Sequence, residues 1–334
     1  VGFGHVLKNE EDFSKMKKIL AVLLAISMIA TMAFAASPIV SVDVKADGDI
    51  VKAEDVSKAG DTLTFLAEDP DSQDGWNPPM WGGTGYDINV ILTTADEKAG
   101  ATICLYNDYT FNYSTSLWIK PVDMLKLSFF SASEQLYDVP SDSADLLKTA
   151  GDYGVTLTPV AGLTIDVVLG QGIGLSGTPT IGGKVAYAID GVATIVANGN
   201  FDKQFGAGVT GLALGPATAN AVFMFDNSVM SIYEDVTLAL GAVNVREELY
   251  VNDLTGTIAL PLYVKAWGSA GAISWEVVAD WEDVTDAANL TVSPAAYYGG
   301  TCGAANWSVG LEVPVEIAAA TKVGVAVPYS VSIS

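Results

Sequence analysis

The chain has 334 residues, half of them hydrophobic, and 39 acidic side chains against 16 basic ones give a net charge of −23. That balance argues against nucleic-acid binding, which needs a basic surface to displace counterions from phosphate. A positive mean hydropathy of +0.35 argues equally against a disordered chain.

Residues 1–15 carry no recognisable pattern and read as an upstream extension of the frame. They hold the lone histidine, His5. Met16-Lys17-Lys18 then leads into an apolar run, Ile19–Met32, and the small residues Ala33-Phe34-Ala35-Ala36. A basic start, an apolar centre and an A-x-A site make a secretory signal peptide, residues 16–35, with cleavage expected after Ala35. The run falls short of the ~20 residues a membrane-spanning helix needs, and no later stretch reaches that length. The exported chain then lacks histidine, and with it Ser-His-Asp, Cys-His and His-metal chemistry. No cysteine stands directly after the cleavage site, which disfavours a lipoprotein anchor. Cys104 and Cys302 are free to pair outside the cytosol or to remain two buried thiols.

Residues 36–334 read as one domain, less regular over 36–84. That stretch contains the acidic loop Asp69-Pro70-Asp71-Ser72-Gln73-Asp74-Gly75. EF-hand spacing fails there, since Asp74 stands where the glycine belongs and Met80 where the bidentate Glu belongs. Asp69, Asp71 and Asp74 are therefore a solvated loop or at most a weak calcium loop, and no cofactor is expected. Trp76 and Trp81, among prolines and glycines, are loop residues suited to stacking on a sugar.

From Tyr86 onward the pattern is alternation. Ile273, Trp275, Val277, Ala279 and Trp281 share one parity, with Ser274, Glu276 and Asp280 on the other. Trp307–Ile317 and Val323–Ile333 repeat it, as does Val243–Val251. Period two puts these side chains on opposite faces of strands. The runs exceed the ~5–6 residues usual in soluble proteins and match the ~9–11 of a tilted membrane-crossing strand.

Turn signals at Asp96–Gly100, Asp190-Gly191, Asn198-Gly199-Asn200 and Gly268–Gly271 predict a meander of hairpins. Lys120-Pro121-Val122-Asp123-Met124-Leu125 and Thr158-Pro159-Val160-Ala161-Gly162-Leu163 form a weak repeat, in which proline ends the outgoing ladder and leucine starts the returning strand. Roughly 14–18 strands are expected.

The signal peptide, the Trp118–Leu127 hairpin style, the Gly- and Tyr-rich alternation and the acidic loops together resemble outer-membrane β-barrel proteins of diderm bacteria, most closely the porin-like proteins of spirochaetes such as treponemes. The resemblance covers most of the exported chain and rests on style rather than on one motif. It implies an antiparallel up-and-down transmembrane barrel, delivered through the barrel-assembly machinery, through which small solutes diffuse. Such barrels usually end on an aromatic residue, whereas this chain stops at Val331-Ser332-Ile333-Ser334. The barrel is therefore expected to be incomplete in its last strands, unless the chain belongs elsewhere.

On this reading Arg246 (the only arginine), Glu248, Glu276, Asp280, Glu312 and Glu316 share parity with small and polar neighbours and are expected to line the lumen. A carboxylate-rich lining favours cations. Trp118, Trp267, Trp275, Trp281 and Trp307 are expected in aromatic girdles at the membrane interfaces. The expected function is passive, mildly cation-preferring diffusion of small solutes across an outer membrane, or a structural surface role, with outer-membrane lipid as the surrounding partner and no catalysis. The competing reading is a secreted all-β surface or carbohydrate-binding protein with a sandwich or solenoid core, in which the same carboxylates form a solvated face.

Overall fold

The computed structural model describes residues 38–53, 56, 64–67, 85–106, 113–141, 145–170, 180–256, 258–285, 290–317 and 321–333. The signal segment, the Asp69–Gly75 loop, Trp76 and Trp81 lie outside them.

The elements are all strands. In the first third they are β1 (Pro38–Ala53), β2 (Thr64–Ala67), β3 (Gly85–Thr94), β4 (Ala99–Tyr106), β5 (Tyr113–Val122), β6 (Leu125–Glu134), β7 (Tyr137–Asp138) and β8 (Asp145–Leu146). The middle contains β9 (Thr149–Val160), β10 (Leu163–Leu169), β11 (Ile181–Ile189), β12 (Ala193–Asn200), β13 (Gln204–Leu214), β14 (Ala217–Asp226), β15 (Val229–Leu240) and β16 (Val243–Val251). The last third adds β17 (Leu262–Ala270), β18 (Ile273–Trp281), β19 (Leu290–Cys302), β20 (Ala305–Glu312), β21 (Val315–Ile317), β22 (Lys322–Val323) and β23 (Val325–Ile333).

Nearly every strand pairs antiparallel with its chain neighbour, and the ring closes where Val44–Ala53 of β1 meets Val325–Ile333 of β23. With β20 continued by β21 and β22 leading into β23, the wall is a closed antiparallel barrel of 18 strands. Closure overturns the sandwich and solenoid alternative, because the wall strands form one sheet closed on itself and the only other sheet among the described residues is the two-stranded β7–β8 hairpin. The described strands close the ring among themselves.

The hairpin repeat takes a definite form. Asp123-Met124 and Ala161-Gly162 are the turns, and the returning strands begin at Leu125 and Leu163. Pro121 and Pro159 fall at irregularities in the ladder, where a residue without N–H is tolerated. Gly162 takes φ +83°, which the tight turn requires.

Asn198-Gly199-Asn200 departs from the expected turn. It lies inside β12, and the reversal comes at Phe201-Asp202-Lys203. The Asn200 Oδ1 accepts the N–H of Asp202 (3.0 Å) and of Gln204 (3.2 Å), so this asparagine braces the next turn instead of forming one.

Asp283, just past β18, closes a similar brace. Its carboxylate accepts the Thr285 N–H (2.9 Å) and hydroxyl (2.8 Å) and the Leu260 N–H (3.4 Å). Those bonds hold its pKa below the ordinary carboxylate value. The stabilisation is therefore complete above the unfolded value of about 3.9 and disappears as pH falls through the lowered folded value. Thr285→Ala is expected to move acid unfolding, followed by intrinsic fluorescence, to higher pH; an unchanged midpoint would refute the assignment.

Candidate functional site

The two faces of the wall differ in kind. Ile195, Phe205, Phe223, Ile232, Val277 and Leu311 stand exposed on one parity. Glu234 and Glu247 are charged exceptions there, on neighbouring strands one register step apart. The other parity is polar and lies on the concave side. Asn198 of β12 donates to Glu134 at the end of β6 (3.3 Å) across the intervening strands β9, β10 and β11, a chord only the inside of a curved sheet permits. The polar parity is thus the lumen.

That chord belongs to a larger departure from the wall. At Phe130 (φ 71°) the ladder between β6 and β9 is irregular, and the chain turns inward. Leu136 is 1 % exposed and packs with Val139 against Val196, Val222, Met224 and Tyr233, lumen-facing residues of β12, β14 and β15. The short β7–β8 hairpin thus gathers the protein's buried apolar cluster inside the barrel instead of on its wall.

Polar bonds fix the segment in place. The Tyr137 hydroxyl donates to Asp235 Oδ2 (2.7 Å), whose other oxygen accepts the Asn220 amide (2.9 Å). Ser141 and Tyr233 (3.0 Å) both donate to Glu248 Oε2, and Arg246 Nε stands 2.7 Å from Glu248 Oε1. Asp235 and Glu248 are 2 % and 3 % exposed, so each depends on these partners. The segment is held against one side of the lumen and narrows it.

Gly206 makes the docking feasible. A Cβ there would meet Leu136 Cδ2 at 2.4 Å, the Phe223 carbonyl oxygen at 2.8 Å and Leu147 Cδ1 at 2.9 Å. Gly206→Val is expected to dislodge the segment at a cost of about 1–3 kcal/mol. The readout is faster protease cleavage between residues 136 and 147 with heat-modifiable gel mobility retained; unchanged cleavage would show the contact to be unimportant.

The six lining candidates fall on the lumen parity. Register links Asp235 to Glu248, Tyr263, Asp280, Thr291 and Glu316 in a single row across β15–β21. One step away, Arg246 pairs with Lys265, and Glu276 stands opposite Ala295, itself opposite Glu312. Lys265 reaches Glu276 Oε2 (2.6 Å) and Lys322 reaches Glu316 (2.8 Å). The chemistry of this wall is carboxylates in a row, partly countered by lysines.

The tryptophans divide. Trp275, Trp281 and Trp307 share the apolar outward parity. Trp118 and Trp267 do not, which corrects the girdle assignment for these two. Trp118 stands opposite Gly100 and Ser128 on the lumen parity, under the ammonium groups of Lys120 (5.2 Å) and Lys126 (5.5 Å). Trp267 and Tyr263 lie beneath the Arg246 guanidinium at 5.8 and 5.9 Å. Their strand parity, shared with Lys120 and Lys265, was the available signal. Cys104 and Cys302 are both free thiols.

A closed antiparallel ring of 18 strands around a polar interior is the fold of a porin-type β-barrel. Among solved structures, the chain is similar to a triple mutant of the Rh. blastica porin, with a TM-score of 0.50 and 12% identity over 88% of this chain and 100% of that one. A double mutant of the same porin aligns over the same shares with a TM-score of 0.48 and 12% identity. At such identity the likeness is one of fold. No family model and no curated protein matches the sequence.

Proposed function

We propose that this protein is a porin-like channel of an outer membrane, passing small hydrophilic solutes by diffusion with a mild preference for cations. The carboxylate row Asp235, Glu248, Asp280 and Glu316 carries the reading. Carboxylates around a hydrated lumen raise the local concentration of cations and lower that of anions. An outward face of Ile, Val, Leu and Phe suits hydrocarbon, and a closed ring leaves no backbone group unpaired in it. Export by the signal peptide and insertion by the barrel-assembly machinery belong to the same reading. The narrower likeness to spirochaete surface barrels rests on sequence style.

The test is conductance across a planar bilayer containing purified protein, with a KCl gradient. Expected are ohmic steps and a reversal potential on the cation-selective side, smaller as salt rises. A silent bilayer would overturn the channel, and an anion-selective potential would overturn the role of the row.

A further inference from the structure

Away from the carboxylate row, the wall of β6, β9, β10 and β11 encloses a cavity of about 440 Å³ beside the root of the inward segment. Register sets Lys126, Thr156, Asp166 and Lys184 side by side at one level on its floor. Ser131, Glu134 and Gln135 close it from the side where β6 leaves the wall.

The charges are only partly satisfied within the protein. Asp166 accepts the Thr156 hydroxyl (2.6 Å), and Lys126 rests 5.5 Å from the Trp118 ring centroid, leaving ammonium donors to spare. Among the described residues, Lys184 has no carboxylate within ion-pair distance. Glu134 lines the same cavity and is 5 % exposed, with Asn198 donating to its Oε2 and Thr149 as its other polar neighbour.

We infer that this cavity is a binding subsite for zwitterionic solutes of amino-acid or dipeptide size, an inference that rests on the channel reading. The solute's ammonium faces Glu134 and Asp166, and its carboxylate faces Lys126, with Ser131 and Gln135 as neutral partners. Adjacent strands are about 4.8 Å apart, so Lys126 and Asp166, two strands apart, accommodate charges separated by a short backbone. A simple cation meets two lysines, a simple anion meets two carboxylates, and an uncharged polyol leaves both sets unpaired. Only a dipolar solute satisfies both signs, and the unsatisfied alternatives supply the discrimination. The volume lies within the ~300–1,000 Å³ range of small-ligand sites.

The experiment compares glycylglycine, the cation glycinamide and the anion N-acetylglycine, by calorimetry on the detergent-solubilised barrel and by block of its current in a bilayer. Glycylglycine is expected to bind saturably and about tenfold more tightly than either singly charged probe. Lys126→Met and Glu134→Gln are each expected to abolish that advantage while heat-modifiable mobility persists. Equal affinity for all three probes, or an advantage that survives both substitutions, would overturn the subsite. A barrel that binds glycylglycine selectively yet passes no current would sink the channel reading alone. One that conducts without selective binding would sink the subsite alone.

Discussion

Replacing Leu136–Leu146 by a short glycine-serine linker is expected to raise single-channel conductance about threefold, because the narrowest cross-section limits ion flow. The segment occupies the lumen with Leu136 and Val139 and is pinned to the opposite wall by Tyr137–Asp235 and Ser141–Glu248. Its removal leaves the ladder of wall strands unbroken, since β6 pairs directly with β9. Heat-modifiable mobility should therefore survive. Smaller changes should grade with the bonds lost: Tyr137→Phe gives up one hydrogen bond, at about 1–3 kcal/mol, and Asp235→Ala gives up two and costs more. Unchanged conductance on deletion would mean that another part of the barrel sets the bottleneck.

The second large effect uses a thiol already present. Cys104 lies on the lumen parity of β4, opposite Asn89 and Ser114. In a Cys302→Ser background, which removes the exposed thiol at the end of β19, Cys104 is expected to react with small water-soluble methanethiosulfonates from the aqueous phase. The trimethylammonium reagent should react about tenfold faster than the sulfonate reagent at low salt, the ratio shrinking as ionic strength rises. Mass spectrometry of the protein in vesicles gives both rates. No reaction with either reagent would place the thiol against lipid and reverse the assignment of the two faces.

Much of the wall was legible because alternation is a local property. The parity of Val243–Val251 or Ile273–Trp281 can be read along one strand, and pairing then brings Glu248, Asp280 and Glu316 to one level. Residues 136–147 were not legible in the same way. Leu136-Tyr137-Asp138-Val139 alternates like a wall strand, and its inward course is fixed only by partners on β12, β14, β15 and β16, far along the chain. Gly206 gives no local hint that it is the hollow receiving Leu136. Trp118 and Trp267 were misassigned for another reason: residue type was given more weight than parity, although their neighbours Lys120 and Lys265 already marked the watery face. The same applies to Asn198, whose turn-forming habit yielded to tertiary bonds with Glu134 and the Leu147 carbonyl.

The closing seam has a further consequence. Because β1 and β23 run antiparallel and Val44 is the register partner of Ile333, the first strand starts and the last strand finishes at the same rim, a few residues apart. The order in which the strands are threaded is therefore separable from the ring they make. A short peptide could join the two ends while the backbone is cut at a tip such as Gly215-Pro216, yielding a permuted cylinder with the same neighbours throughout.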